Sequence, residues 1–276
     1  MSYGITVVIG RHLAKAGFGV TTVLGVRFGV AGAVLVLILV ALRRPVLPAP
    51  SERLRALLLG VVGYAFESTL FFMGLERGTA AAVALLFYSY PAIVTLIEAA
   101  IRRAPPPPRS LAALALAGGG TAMVVGAGGS VAITTTGALC ALGSAMSFAV
   151  YMLVSHAAVH RTDSLTLSAW VALGASLSFV VRGVAAGSLV QPGSQWPVMI
   201  LNGIATASAF TFMFAGLRRI GPSRTSVIMT LEALCAVVLA AVFLHEELHA
   251  LQLLGGAGIL AATILIGTQR TVEAVP

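Results

Sequence analysis

Long apolar runs recur along the whole chain, separated by brief polar or proline-rich stretches. A helix needs about 20 mostly apolar residues to cross the hydrocarbon core of a bilayer. Ten stretches meet or approach that length: residues 2–17, 20–42, 55–75, 79–101, 110–127, 136–159, 165–186, 197–217, 223–244 and 250–268. The pattern predicts an all-α transmembrane protein of about ten helices. The runs are continuous and rich in Ala, Leu and Gly, so they do not read as the alternating strands of a membrane β-barrel. The connections between them are too short to hold a folded domain outside the membrane.

Composition agrees with lipid as the solvent. The 276 residues are 58% hydrophobic and 9% charged, against about 25% charged in a soluble domain. A net charge of +8 raises the question of nucleic acid. The basic residues answer it, because they sit in short clusters between apolar runs and are not interleaved with aromatics on a polar face. Cys140 and Cys235 lie in apolar stretches without metal-ligand spacing and read as small hydrophobes. The first apolar run has no basic region before it, so no cleavable signal peptide is expected. No cofactor is implied. No G-x-x-x-x-G-K-[ST] sequence is present to bind ATP.

Arginine placement predicts orientation. With ten helices and a cytoplasmic N-terminus, Arg43, Arg44, Arg53, Arg55, Arg102, Arg103, Arg109, Arg161, Arg218, Arg219, Arg224 and Arg270 all fall on the cytoplasmic side. Only Arg77, with Arg11 and Lys15 at the end of the first helix, falls opposite. The positive-inside rule therefore places both termini in the cytoplasm of a bacterial inner membrane.

The chain also resembles itself. Residues 74–78 (Gly-Leu-Glu-Arg-Gly) align with residues 216–220 (Gly-Leu-Arg-Arg-Ile), each between two apolar runs. The same register sets Tyr90-Pro91 opposite Glu232-Ala233. The units are residues 1–128 and 134–270. Five helices per unit is an odd number, so the copies enter the membrane from opposite faces, an architecture common in secondary transporters. Tyr3 then falls roughly opposite Phe148, and residues 134–147 have almost no counterpart in the first unit. About 16 residues at 1.5 Å each reach roughly 24 Å, short of the roughly 30 Å core. The first helix thus reads as truncated, and an upstream start is expected.

Several short motifs carry a family resemblance. They are Arg27-Phe28, Gly74-Leu75, Tyr90-Pro91, Leu231-Glu232-Ala233 and the turn His245-Glu246-Glu247-Leu248. With the topology, they make the chain resemble the EamA-type transporters of the drug/metabolite transporter superfamily. Ala233 departs from the proline that often follows the glutamate there. The resemblance implies a central cavity lined by helices 1–4 and 6–9, with helices 5 and 10 peripheral. It implies export or exchange of small metabolites, often amino acids or related compounds, and no enzymatic activity.

Candidate site residues follow from chemistry at membrane depth. Glu67, near the middle of the third helix, is costly in lipid and must face a cavity or a partner, where it could exchange a proton. Glu232 matches the family's glutamate and could meet a substrate ammonium group or a proton. Pro91 removes a backbone donor in mid-helix and frees a carbonyl near Phe87. Tyr88, Ser89 and Tyr90 beside it offer hydroxyls and rings that suit a cation. Tyr64 shares a helix face with Glu67. Trp170, Asn202 and Tyr151 are further lining candidates. Arg27 either meets an anionic group or snorkels to the interface. Glu98 and Arg102, four residues apart, read as an ion pair.

One competing motif stands out. Residues 245–249 match H-E-x-x-H, the zinc-protease pattern. That chemistry needs a third ligand and an open coordination position. The sequence places the motif in a turn between two membrane helices, away from the chain's one aspartate, Asp163. An intramembrane zinc protease built on His245 and His249 is the lesser reading, and a non-transporting scaffold is the third. Glycines 118–120, 255, 256 and 258 predict close helix packing, within the chain or in a homodimer. The expected partners are a small-molecule substrate, the lipid bilayer and protons, acting on a monomer or homodimer.

Overall fold

The computed structural model describes residues 9, 13, 16–78, 80–126, 133–233, 235 and 250–267. These residues are almost entirely helical, and the one β-feature among them is an isolated bridge between Gly78 and Ile133. We number the helices α1 (Val20–Ala41), α2 (Pro50–Leu75), α3 (Ala80–Phe87), α4 (Tyr90–Arg102), α5 (Pro108–Gly126), α6 (Thr135–Val159), α7 (Ser164–Ala185), α8 (Trp196–Ile220), α9 (Pro222–Met229) and α10 (Ala250–Gly267). Six spans among the described residues are long and apolar enough to cross a membrane, and Ala250–Leu265 is a shorter apolar helix. The predicted segment 2–17, the end of 223–244 and the His245–His249 motif lie largely or wholly outside the described residues.

The helix ends follow local chemistry. The Thr134 hydroxyl accepts from the Gly137 N–H at 3.1 Å and caps α6. The Asp163 carboxylate accepts from the Leu165 N–H at 3.1 Å and caps α7. These side chains satisfy amide groups that a helix start otherwise leaves open. Gly221, at φ +79°, ends α8, and Pro222 opens α9 immediately after it. The third predicted segment begins five residues earlier than its apolar run, at Pro50. Glu52, Arg53 and Arg55 interrupt the run there, yet their polar turn still continues the helix.

The predicted helix 79–101 is two helices. Ser89 N–H donates to Leu86 O at 3.2 Å, its hydroxyl donates to the same carbonyl at 2.6 Å, and the chain restarts as α4 with Pro91 in its first turn. Proline tolerates a first turn because the N–H it lacks has no helical partner there.

Burial shows which faces meet. In α1, Leu24, Phe28, Ala31, Leu35 and Leu39 recur every three or four residues and are buried. Leu37 and Val40, on the same helix, are 67% and 59% exposed. Phe212, Ile101 and Ile264 are exposed in the same way on other helices. A helix apolar all round, with its outer face uncovered, is one that has lipid as its solvent. Within the bundle, α1 packs on α7 and α8, α2 on α6 and α7, and α5 chiefly on α10. A Cβ at Gly120 would lie 2.5 Å from the Gly255 carbonyl, so these glycines set the α5–α10 approach inside the chain.

The arginine clusters gather at one end. Asp163 meets Arg44 at 3.5 Å and Arg218 at 4.0 Å, while Glu52 meets Arg55 at 3.1 Å and Arg161 at 3.5 Å. Glu98 pairs with Arg102 at 2.7 Å and also accepts from the Ser223 N–H and hydroxyl at the start of α9. The arginines are largely exposed, so each pair contributes at most about 1 kcal/mol. Their main effect is to tie the α1–α2, α6–α7 and α8–α9 connections into one face. At the other end, Thr134 N–H donates to Arg77 O at 3.0 Å.

Candidate functional site

Glu67 lies in the interior of the bundle. The first part of α2, Pro50–Leu58, opens into a π-helical turn, Leu59–Tyr64, before α-geometry resumes at Ala65. Such turns often mark functional positions. This one ends three residues before Glu67. It also brings α2 against α7 at the backbone, because a Cβ on Gly60 would lie 2.3 Å from Val171 O and 2.9 Å from Ala175 N.

The Glu67 carboxylate is 5% exposed and fully engaged. Ser144 Oγ, on α6, donates to Oε1 at 3.0 Å and also lies 3.2 Å from the Glu67 carbonyl. Ser68 Oγ donates to Oε2 at 3.0 Å. Buried carboxylates require such partners. Arg27 supplies an opposite charge that acts on Glu67. Its Nε donates to Thr206 Oγ1 on α8 at 2.6 Å, and its guanidinium lies 5.1 Å from the centre of the Phe28 ring. Arg27 interacts electrostatically with both Glu67 and Glu232, and the two carboxylates interact with each other.

Aromatic rings connect these groups. Phe28 stands edge-on to Tyr64 at 5.2 Å, and Tyr64 to Tyr151 at 5.6 Å and Phe210 at 5.1 Å. Tyr151 stacks on Phe148 at 5.9 Å, Phe148 meets Tyr90 at 4.9 Å, and Phe87 lies 5.2 Å from Tyr90. The series joins α1, α2, α3, α4, α6 and α8. Phe28, Tyr64 and Tyr90 are all buried, so at this depth the centre is filled by side chains.

Glu232 sits beside a second helix interruption. Thr230 Oγ1 donates to Val227 O at 2.7 Å, and Ala233 N–H donates to Thr230 O at 3.1 Å. Ser89 makes the same pair of bonds, to Leu86 O and from Ala92 N–H at 3.0 Å. Tyr90 Oη donates to Ser226 O at 3.3 Å, across from α4 to α9. Tyr88 and Leu231 both pack against the buried pair Ala233 and Ile259. Tyr88, Tyr90 and Glu232 therefore meet where the two interrupted helices touch.

The remaining candidates divide. Asn202 is buried one turn before Thr206, its carbonyl accepting from the Thr206 hydroxyl at 2.8 Å. Its side-chain oxygen has no hydrogen-bond partner among the described residues. Pro91 is buried at the α4 start. Trp170 packs against the core that holds these rings, and its Nε1–H donates to Val46 O at 2.9 Å, fastening the α1–α2 connection to α7. Trp170→Phe will cost about 1 kcal/mol, the net value of one hydrogen bond, and will leave solute flux unchanged. Thermal unfolding and proteoliposome flux measure the two.

Ser144, Ser68 and Thr206 were not singled out from the sequence. A hydroxyl in an apolar membrane helix is a signal for a polar partner across the bundle, but nothing in one sequence names that partner. Two large cavities open on the flanks. One, of about 830 Å³, lies between α1 and α8, and the other, of about 750 Å³, between α2 and α6. Glu67 lines neither.

A bundle with a lipid-facing exterior and a polar, charged centre defines a multi-pass membrane protein. The chain belongs to the EamA-like transporter family, which matches residues 1–126 and again residues 135–268, and membrane transport is the business of that family. It is 26% identical over 131 residues to the uncharacterized transporter YcbK of Bacillus subtilis (strain 168), a match over 45% of this chain and 42% of that protein. The chain thus aligns with less than half the length of that relative. A solved crystal structure of a protein with 20% identity superposes with a TM-score of 0.81, covering 95% of this chain and 93% of that one. That likeness establishes the fold.

Proposed function

We propose that this protein exports a small metabolite, an amino acid, a related compound or a drug-like molecule, across the bacterial inner membrane by alternating access. The observation that carries the reading is the buried Glu67, held by Ser144 and Ser68 within electrostatic reach of Arg27 and Glu232. Two carboxylates and one guanidinium can bind a solute bearing an ammonium group, with or without a carboxylate. Tyr64, Tyr88 and Tyr90 supply ring faces for its cationic or apolar part. Glu67 is the group that would exchange a proton with the solute.

Residues 1–128 and 134–270 form the two inverted units in this reading. The matched interruptions at Ser89 and Thr230 support it, since each half then has one broken helix at the shared site. The gathering of arginines at one end supports a cytoplasmic placement of that end and of both termini. The occupied centre corresponds to a state closed around the site. Opening requires the α4–α9 contact, or the rings between α2 and α6, to separate.

Purified protein in proteoliposomes tests this. Counterflow screened across labelled amino acids, nucleosides and cationic drugs will identify at least one solute that exchanges. A chain that drives no solute-dependent counterflow with any of them would be a scaffold.

A further inference from the structure

We infer that the groove between α1 and α8 is a binding site for one anionic phospholipid. The groove encloses about 830 Å³ and has two chemically distinct parts. Its shaft is apolar, with Val34 and Ile38 on α1 facing Ile204 and Phe212 on α8. Phe212 is 72% exposed and Ile38 39% exposed, so the described residues leave the shaft open. Its mouth carries Arg44, Arg218 and Arg219 against a single carboxylate among the described residues, Asp163.

The charge does not balance. Asp163 is shared by Arg44 and Arg218 at 3.5 and 4.0 Å. Three guanidinium groups with one carboxylate leave two positive charges over an apolar slot. A phosphate diester at the mouth neutralises one and accepts the planar donors that arginine presents. Ile204 and Ala215 on α8 are eleven residues apart, a rise of roughly 16 Å, about one leaflet of a roughly 30 Å hydrocarbon core. An acyl chain below the headgroup therefore has a slot of its own depth. A basic pocket between transmembrane helices, at the headgroup level, is a setting for anionic lipid.

The second groove, between α2 and α6, is the internal comparison. There Glu52 lies within 3.1 Å of Arg55 and 3.5 Å of Arg161, and one positive charge remains. It is similarly apolar and close in size, so it separates charge from mere shape.

The test uses the full chain in detergent, with phosphatidylglycerol or phosphatidylcholine of identical acyl chains added. Retained lipid is counted by native mass spectrometry, and affinity is read from the shift of the thermal midpoint. Phosphatidylglycerol will bind one per chain and raise the midpoint, and phosphatidylcholine will do neither. Arg218→Gln with Arg219→Gln will weaken it roughly 30-fold, at about fivefold per arginine. Ala215→Trp, which fills the groove and keeps every charge, will abolish it. Arg55→Gln with Arg161→Gln will leave it unchanged. Equal binding of both lipids overturns the proposal, as does full affinity in both the arginine and the tryptophan variants. Two further results overturn it: displacement of the lipid by glycerol phosphate at equal concentration, which marks a free-anion site, and a dimer that forms without lipid and covers the groove.

Discussion

Glu67→Gln will reduce counterflow to the level of protein-free liposomes while the protein still inserts and folds. The amide keeps one acceptor for the two hydroxyls that now lie 3.0 Å from the carboxylate oxygens, Ser144 Oγ and Ser68 Oγ, and its NH₂ can donate to the other, since a serine hydroxyl also accepts. Exchange of one oxygen for an NH₂ group should therefore change stability by no more than about 1 kcal/mol, the scale of a net hydrogen bond. The amide carries no charge toward Arg27 and cannot take up or release a proton. Flux should consequently vanish without a change in yield or thermal midpoint, and any residual flux should not vary with pH. Glu67→Leu gives the contrast. It strips the side-chain acceptor from Ser68 and leaves Ser144 only the Glu67 carbonyl at 3.2 Å, at about 1–3 kcal/mol for a hydroxyl left unpaired, so it should lower the midpoint as well. Undiminished flux in the glutamine variant would remove Glu67 from the transport cycle.

The second large effect is structural. Gly60→Ala will destabilise the bundle by about 3 kcal/mol or more, the upper end for overpacking. The added Cβ would stand 2.3 Å from Val171 O, 2.9 Å from Ala175 N and 3.0 Å from Gly174 Cα. All three are backbone atoms, so no rotamer change relieves the clash and α2 must leave α7. Gly119→Ala is the matched control. Nothing lies within 4 Å of a Cβ there, and alanine's better helix propensity should stabilise the chain by up to about 1 kcal/mol. Thermal inactivation of the two variants in detergent compares them directly. Equal midpoints would mean that the α2–α7 approach can relax without cost.

The features written locally in the chain were the legible ones. Pro91 announces the break before α4 because a proline has no N–H to give. The arginine clusters announce one end because charge cannot remain in lipid. Glu67 is conspicuous for the same reason. What the sequence withheld depends on distance along the chain or on subtle geometry. Ser144 lies 77 residues from Glu67, and no short-range pattern pairs them. The π-turn at Leu59–Tyr64 has no composition of its own, since two glycines in an apolar run fit an ordinary helix equally well. The partner of the Trp170 N–H, the Val46 carbonyl, lies 124 residues away in the chain and was equally illegible.

That π-turn has a consequence for motion. A π-turn accommodates one residue more than the α-helical turn it replaces. Passing that residue along α2 would swivel the helix beyond it by about 100° and advance it by about 1.5 Å. Glu67 would then turn away from Ser144 while Pro50–Leu58, anchored through Glu52 to Arg161, stayed in place. A local slip in register would thus change which neighbours the carboxylate meets without moving the anchored end of α2.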